Sequence, residues 1–430
     1  MTGGDPEQGT IRFRDIETPA EGHAPAADAG KRVLFVTAEP AAASALRSAL
    51  LQQRSSWHVA FARSAAEALA ELGRAPFDAI VSELHLPHTD GAQLLAQVRE
   101  LHPNVVRLCL SDGVDEELFL RAVPVTHQFL RKPCSADNVR EVVERACSVG
   151  GILHNEAIRE LIGKLQALPA TPQTFEALSA AIARPTAHAA DISNIVSNDR
   201  ALCVKTLQIV NSALFRRTGT ITSIQTAVSY VGMEMLKSLA MSACVFHALD
   251  ASPATGKLLA DLQARSIRKA RFARLLLEGS HGADEAFTAA LLLDVGQAVL
   301  ALSAPAQFER MVALARERDA PWHEIEPECF GVAHPEVGAC LLGLWGLPLE
   351  LIEAVAHHHC PSRVQHAQTR VLAAVHVADA IVDATADQPA KLLDHLDAAF
   401  VARSEVARCL SDWNIDPAAD TRSLQRTRAA

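Results

Sequence analysis

Side chains that can do chemistry follow the short apolar runs in the first third of the chain. Thr37, Ala38 and Glu39 come after the run 33–36, Glu83 after 79–82, Ser111 after 105–110 and Lys132 after 127–130. If the ends of these runs meet, Glu83 and Lys132 can form an ion pair through their opposite charges, with the Ser111 hydroxyl within reach. Mg²⁺ prefers several hard oxygen ligands in octahedral geometry, so Glu39 alone would make a poor magnesium site.

Composition disfavours several classes of function. The nine cysteines occur singly with no C-x-x-C pair, which predicts buried reduced thiols. A formal net charge of -10 and the lack of a dense basic face argue against direct DNA binding. Asp294 interrupts the longest apolar stretch, and residues 1–30 lack the features of a signal peptide. We expect a cytoplasmic protein without a membrane span.

The elements that must position the polar side chains are alternating strands and helices. Between Lys31 and Cys147, apolar runs alternate with amphipathic segments, which predicts a parallel sheet with crossover helices. The predicted strands are 33–36, 58–62, 79–82, 105–110 and 127–130, and the predicted helices are 41–53, 64–73, 91–100, 115–122 and 136–147. Ser64 and Glu67 are placed to form a capping box at the second helix. Because ligand-binding groups in such sheets lie at the carboxyl ends of the strands, the polar residues should meet there.

After Gly150 and Gly151 the strand signals stop, and the remaining chain is predicted to be all-α. Asp199 and Ser223 precede helical segments as N-cap residues, and Gly232 is suited to end the second segment. We predict a disordered tail over 1–30, an α/β domain over 31–148, an all-helical domain over 149–380, and C-terminal helices with a frayed tail over 381–430.

Residues 31–148 resemble a response-regulator receiver domain, which is a flavodoxin-like (βα)5 fold with a parallel five-stranded sheet. The matching segments, in the correct order, are Val33–Pro40, Phe77–Gly91, Ser111 and Phe129–Pro133. In that family an acidic pair binds a metal and an aspartate accepts phosphate, while a Ser/Thr and a lysine complete the pocket. By this resemblance Thr37 and Ala38 occupy the positions of the acidic pair, with Glu39 nearby, and Glu83 occupies the phosphoacceptor position. Phe129 occupies the position of the switch aromatic, Ser111 that of the Ser/Thr and Lys132 that of the lysine.

The resemblance therefore implies a degenerate, pseudo-receiver pocket that is not phosphorylated. Glu83 is one methylene longer than aspartate and carries less charge than a phosphate, so it can mimic the phosphorylated state only in part. Alternatively, Glu83 is a tolerated remnant in a domain kept for docking. Phosphorylation of Glu83 or Asp78 is a poorer alternative, because Asp78 starts the third predicted strand, at the wrong end of the sheet.

The helical part resembles an HDOD domain, a non-catalytic relative of the HD phosphohydrolases, over about 155–380. The matching segments are Leu165 with Leu168-Pro169, Ile195–Asp199, Leu207–Ser212, Ile224–Val228 with Val231-Gly232, Ala290–Gly296, Phe330–Gly338, Trp345–Pro348, Ala356–His359 and His376–Asp379. HD hydrolases hold metals through an early His, a His-Asp pair, further histidines and a late Asp, because the metal ionises the attacking water. By this resemblance Arg265-Ser266 replaces the early His and Leu293 the paired His, and the surviving positions are Asp294, His334, His358, His359 and Asp379.

Because leucine stands at position 293 in place of the paired histidine, we expect the surviving positions to be vestigial and to hold no metal. The protein would then have no cofactor. His334 would then start a helix and Asp294 would cap one, while the run His357–His359 would contact the last carbonyls of a helix. A non-catalytic metal on the surviving ligands and a small molecule in the degenerate cavity stay open as alternatives. We expect Trp345 to be a buried aromatic side chain at a helix junction.

Together the two resemblances predict a bacterial-type signal-transduction adaptor rather than an enzyme. The receiver-like part would regulate or dock the HDOD-like part, which would bind a protein partner such as a sensor kinase, a cyclase or a motility regulator. Regulation would require the receiver face formed by its fourth helix, fifth strand and fifth helix, near Phe129 and Lys132, to contact the second domain differently in two states. The alternative is a metal-dependent phosphohydrolase acting on a nucleotide or cyclic dinucleotide. The oligomeric state is not specified by the sequence.

Overall fold

The structure is a computed structural model of the 430-residue chain. It describes residues 31–52, 57–112, 115–152, 189–212, 220–231, 253–364, 370–383, 396–404 and 406–407, together with 162–163, 165, 177, 180–181 and 184. The predicted tail 1–30, the predicted helix end at Gly232 and most of the predicted C-terminal part lie outside the described residues.

Five parallel strands form the sheet of the first domain, and the flavodoxin-like (βα)5 prediction is confirmed. The strands of this sheet are β1 (Arg32–Val36), β2 (His58–Ala62), β3 (Ala79–Glu83), β6 (Val106–Ser111) and β7 (Gln128–Arg131). Between β3 and β6, two short strands, β4 (His85–Leu86) and β5 (Thr89–Asp90), form a separate antiparallel hairpin. The order across the sheet is β2-β1-β3-β6-β7. Each predicted strand lies within one residue of an observed one, because a short, mainly apolar run is the local signature of a strand in a covered parallel sheet.

Five helices cover both faces of this sheet: α1 (Pro40–Gln52), α2 (Ala65–Arg74), α3 (Gly91–Leu101), α4 (Glu116–Ala122) and α5 (Ala136–Ile152). In β1, Val33 and Phe35 pack into one core and Leu34 and Val36 into the other. The Ser64 hydroxyl accepts a hydrogen bond from the Glu67 amide at 3.3 Å, which is one half of the predicted capping box. The Glu67 carboxylate accepts from the Arg63 amide at 2.7 Å instead of from the Ser64 amide.

The second domain is helical throughout its described residues, as predicted. Its helices are α6 (Ala189–Ser197), α7 (Arg200–Asn211), α8 (Ile224–Val231), α9 (Pro253–Leu276), α10 (Ala283–Leu292), α11 (Val295–Ser303), α12 (Pro305–Arg318), α13 (Trp322–Phe330), α14 (His334–Leu344), α15 (Leu349–His357), α16 (Arg370–Asp383) and α17 (Ala398–Ala402). Both predicted N-caps are confirmed. The Asp199 carboxylate accepts from the Ala201 and Leu202 amides, and the Ser223 hydroxyl accepts from the Thr226 amide at 3.3 Å.

One stretch in the described part of the chain, Ala283–Ser303, is long and apolar enough to cross a membrane. In its most apolar 18-residue segment, 89% of the residues are buried inside the domain, where α10 and α11 belong to the core. Asp294 interrupts it between the two helices. The stretch therefore packs as a core element of the helical domain.

Candidate functional site

The first candidate pocket lies at the carboxyl edge of the sheet, where the polar residues after the strands meet. Glu83 ends β3 and is buried, and its Oε1 accepts hydrogen bonds from the Thr37 hydroxyl at 2.9 Å and the Lys132 ammonium at 2.5 Å. Thr37 follows β1 and Lys132 follows β7, so three parallel strands bring these groups together. The pocket contains the expected Glu83–Lys132 ion pair.

The other predicted residues of this pocket do not complete a magnesium site. Glu39 is exposed at the rim, and its backbone amide donates to the Thr37 hydroxyl at 3.2 Å. Ala38 offers no ligand atom, and Ser111 is buried at the end of β6. Glu83 is thus the one buried carboxylate in this part of the described chain, and it is already bound by Lys132. Such a donor set does not fit Mg²⁺.

The weaker phosphoacceptor candidate, Asp78, lies at the opposite edge of the sheet. It precedes β3, and its Oδ2 accepts a hydrogen bond from the Arg32 backbone amide at 2.7 Å. The predicted switch aromatic, Phe129, is buried in β7, and its ring centroid lies 4.6 Å from that of Phe119 in α4.

The strand that leads to Lys132 also forms part of the contact with the helical domain. The Gln128 side-chain amide, in β7, donates to the Leu344 carbonyl at 3.0 Å. The Gln208 side-chain amide, in α7, donates to the His127 carbonyl at 2.7 Å and the Thr126 carbonyl at 3.1 Å. The predicted contact between the Phe129–Lys132 region and the second domain is therefore made by the residues just before Phe129.

A buried lysine lies at this interface. The Lys205 ammonium donates to Gln208 Oε1 at 2.9 Å and lies 4.7 Å from the centre of the Trp345 ring. Burial, assisted by the charge of Arg107, lowers the pKa of Lys205 from 10.5 to about 7. Trp345 is buried at the junction of α14 and α15, as expected, and in addition it faces the first domain through Lys205.

The turn after Trp345 brings the backbone of the helical domain close to the Gln128 side chain. Gly346 has φ of +71°, a conformation that favours glycine, and a Cβ atom there would lie 2.7 Å from Gln128 Cδ. The glycine thus permits the approach on which the Gln128 hydrogen bond to α14 depends.

The second candidate site is a cluster of buried and partly buried side chains in the helical domain, where all five surviving positions of the HD-type set come together. His334 begins α14, and its Nδ1 and backbone amide both lie 2.7 Å from Glu326 Oε2. His334 Nε2 lies 3.3 Å from His358 Nε2 and 3.6 Å from Asp294 Oδ1. His358 Nδ1 lies 2.8 Å from the Val355 carbonyl, as expected for imidazoles at a helix end.

A glycine allows these elements to approach. A Cβ atom at Gly296 would lie 2.0 Å from the His334 carbonyl oxygen, so only glycine fits where α11 meets α14. The predicted capping role of Asp294 is wrong. Asp294 stands at the N-cap of α11 but makes no capping hydrogen bond, because its Oδ2 binds a buried lysine instead.

That lysine, Lys269, was not identified from the sequence. Its side chain is fully buried in α9, and its Nζ lies 2.6 Å from Asp294 Oδ2, 2.6 Å from Asp379 Oδ1 and 3.2 Å from Asp383 Oδ2. Arg265, one turn earlier, contacts Asp383 at 2.6 Å. The available signal was two pairs of like charge spaced by four residues, 265 with 269 on the strongly basic helix α9 and 379 with 383 on the mainly apolar helix α16.

The protonation of this cluster follows from burial and charge. Burial lowers the pKa of Lys269, but the three aspartates outweigh it and hold that pKa above its ordinary value. Burial raises the pKa of Asp379 to about 7. Burial also opposes ionisation of His334, whereas Glu326 and Asp294 raise its pKa overall. For His358, burial and the neighbouring His334 lower the pKa well below its ordinary value.

The possible metal ligands of this cluster form two groups, which we call its histidine half and its carboxylate half. The ligand atoms of His334, His358 and His359 lie within 4.8 Å of one another, as do those of Asp294, His358 and Asp379. Glu326 orients His334 as an outer-shell carboxylate does in metal sites. The carboxylate half does not fit a metal, because the Lys269 ammonium already joins Asp294 and Asp379. The residue before Asp294, Leu293, is buried in the core and offers no ligand.

Comparisons with protein families match both parts of the chain. A model of the response regulator receiver domain matches residues 33–144, and a model of the HDOD domain matches residues 168–361.

Two curated proteins share part of the sequence. An uncharacterised protein of Treponema pallidum is 28% identical over 201 residues, which cover 46% of this chain and 38% of that protein. The hydrogenase transcriptional regulatory protein HoxA of Cupriavidus necator is 31% identical over 122 residues, which cover 28% of this chain and 25% of that protein. The aligned regions thus span about two fifths and one quarter of these relatives.

Among solved structures, a virulence factor from Campylobacter jejuni superposes with a TM-score of 0.51 at 17% sequence identity. The superposition covers 62% of this chain and 95% of that protein. At this identity the similarity concerns the fold alone.

Proposed function

This chain carries a response regulator receiver domain followed by an HDOD domain, a signalling architecture, and we propose that it works as a cytoplasmic adaptor. The degenerate receiver regulates or docks the HDOD domain, which binds a protein partner and does not catalyse a reaction. The observation that carries this proposal is the continuity of β7. The strand joins the interface residue Gln128 to Lys132, which binds Glu83 in the receiver pocket.

Coupling between the pocket and the interface is supported by burial along β7. Phe129 and Leu130, which separate Gln128 from the pocket end of the strand, are both buried. Close-packed side chains have little room to move independently, so a shift of Lys132 should be transmitted to Gln128. In this view the fixed charge of Glu83 replaces a phosphate signal in part and holds the receiver in one arrangement.

The non-catalytic part of the proposal is supported by the residues of the HD-type cluster in the HDOD domain. Metal-dependent hydrolysis needs an open coordination position for water. Here Leu293 occupies the place of one expected histidine, and Lys269 contacts both Asp294 and Asp379 at 2.6 Å. A cation that belongs to the protein thus uses the carboxylates that would otherwise bind metal.

One observation favours the alternative of a metal-dependent phosphohydrolase. The imidazoles of His334, His358 and His359 converge, and His359 Nε2 has no hydrogen-bond partner among the described residues. Incubation of the full chain with nucleotides and cyclic dinucleotides in the presence of Mn²⁺ tests it. We expect no hydrolysis. Turnover that disappears in the variant with His358→Ala and His359→Ala would refute the non-catalytic proposal.

Hydrogen exchange of the full chain tests the coupling. Glu83→Gln keeps the shape of the side chain but removes the charge that Lys132 binds, so we expect faster amide exchange in β7 and in α7. The matched control is Glu71→Gln, which removes the charge of a partly exposed carboxylate paired with Arg74. A change confined to the surroundings of Glu83, with α7 unaffected, would contradict regulation through β7.

Affinity purification from the native cytosol tests the adaptor role. A stoichiometric protein partner whose recovery differs between the wild type and Glu83→Gln is the expected result. Recovery of no stoichiometric partner by either protein would count against an adaptor.

A further inference from the structure

The ion cluster around Lys269 has the arrangement of a cation site. The Lys269 Nζ lies 2.6 Å from Asp294 Oδ2 and 2.6 Å from Asp379 Oδ1, and the lysine side chain is completely buried. These two aspartates stand at the start of α11 and within α16, so the ammonium connects two separate elements of the helical core. A divalent metal that bridges two carboxylates performs the same structural task.

The surrounding ligands would suit such a metal if the ammonium were absent. Ligand atoms of Asp294, His358 and Asp379 all lie within 4.8 Å of one another. Asp294 Oδ1 has no hydrogen-bond partner among the described residues, although it is fully buried. Two carboxylates and an imidazole are ligands that zinc accepts.

Charge prevents a metal and Lys269 from sharing this position. Asp294, Asp379 and Asp383 face Lys269 and Arg265, so three carboxylates already meet two cations. A divalent ion bound by Asp294 and Asp379 would lie beside an ammonium in a buried region, where like charges repel strongly.

We propose that Lys269 is a covalently attached substitute for a divalent cation. Its ammonium prevents metals from binding to Asp294 and Asp379, and its removal converts Asp294, His358 and Asp379 into a zinc site. This inference deepens the non-catalytic part of the proposed function, and it makes a statement about metal binding that needs no assay of catalysis.

The test compares zinc content and thermal stability in Lys269→Met and in the wild type. Each full-length protein is incubated with ZnCl₂ and desalted, after which bound zinc is measured by elemental analysis. We expect no retained zinc in the wild type and about one ion per chain in Lys269→Met. At a zinc concentration about 100 times the Kd, the melting temperature of the variant should rise by roughly 5–10 °C, whereas that of the wild type should not.

The matched control is Lys205→Met. Lys205 is likewise buried, but its contacts are Gln208 Oε1, the Val123 carbonyl and the Trp345 ring rather than carboxylates. Its removal should create no zinc site. Adding Asp294→Asn to Lys269→Met should abolish the gained zinc, because a neutral amide is a weak metal ligand.

Three results would overturn the proposal: stoichiometric zinc in the wild type, no zinc in Lys269→Met, or equal zinc uptake by Lys205→Met. If Lys269→Met is insoluble without metal, it is refolded with and without zinc, beside a variant that also carries Asp294→Asn and Asp379→Asn. Folding that depends on zinc in Lys269→Met, but not in the triple variant, supports the proposal. Failure of Lys269→Met under both conditions while the triple variant folds contradicts it.

These outcomes are separable from failure of the proposed function. Hydrolysis by the wild type would refute the non-catalytic role even if Lys269→Met gained zinc. A variant that gained no zinc would refute the role of Lys269 and leave the coupling through β7 untouched.

Discussion

The buried lysine at the domain interface predicts a specific pH dependence of stability. Burial lowers the pKa of Lys205 from 10.5 to about 7, and none of its contacts described above is a carboxylate that would offset this effect. One pKa unit corresponds to about 1.4 kcal/mol, so the charged form costs the folded state at most about 5 kcal/mol. Lys205→Met removes this cost while keeping a side chain of similar length.

The direction of the effect follows from proton binding. Between pH 7 and pH 10.5 the unfolded chain holds a proton on Lys205 that the folded chain has released. The destabilisation is therefore complete below about pH 7, and it disappears as the pH rises towards 10.5. Relative to Lys205→Met, the wild type should gain up to about 1.4 kcal/mol of unfolding free energy per pH unit in this range.

Urea unfolding at pH 7, 8, 9 and 10 measures this difference. The control is Lys257→Met, which removes an exposed lysine from α9 and should leave the slope against pH unchanged. Parallel curves for the wild type and Lys205→Met would refute the reasoning, because Lys205 would then keep its proton in the folded state.

Three further predictions concern the same two domains. Gly346→Ala should lower the unfolding free energy by at least about 1 kcal/mol, because φ is +71° and the new Cβ would meet Gln128. Urea unfolding measures this loss, and an unchanged unfolding midpoint would contradict the prediction. Gln208→Ala should cost about 1–3 kcal/mol, since the His127 carbonyl loses a buried donor, and equal hydrogen exchange at the interface in variant and wild type would refute this. Acetyl phosphate should add no phosphate to the chain, and an intact-mass gain mapped to Glu83 would show that the pocket is still phosphorylated.

Much of the fold follows from patterns that the sequence displays locally. The mainly apolar runs of the receiver predicted its strands to within one residue, because strands in a parallel sheet covered on both faces are mostly apolar. Asp199 and Ser223 predicted their helix starts, because a capping side chain needs only the next three amides. One local prediction was less accurate. Helix α5 continues to Ile152 rather than ending near Cys147, since glycine lowers helix stability without forbidding the helix.

The candidate site could be predicted only in part. The five HD-type positions and the Glu83–Lys132 pair were identified from their order along the chain, and the fold brings both sets together. Lys269 was missed, because its partners Asp294 and Asp379 lie 25 and 110 positions away in the sequence. A lysine in an amphipathic helix normally reaches water, and only the arrangement of α9, α11 and α16 encloses this one.

The sequence by itself determined the two-domain order, the class of each domain and the chemical types available at each site, because these depend on periodicity and on residue identity. The tertiary structure decided what the charged groups do. It turned Lys269 towards three carboxylates and buried Lys205 against an amide and an indole ring. Two lysines of the same chemistry thus acquire opposite shifts in pKa, since the pKa of a buried group depends on the charges and the solvent around it.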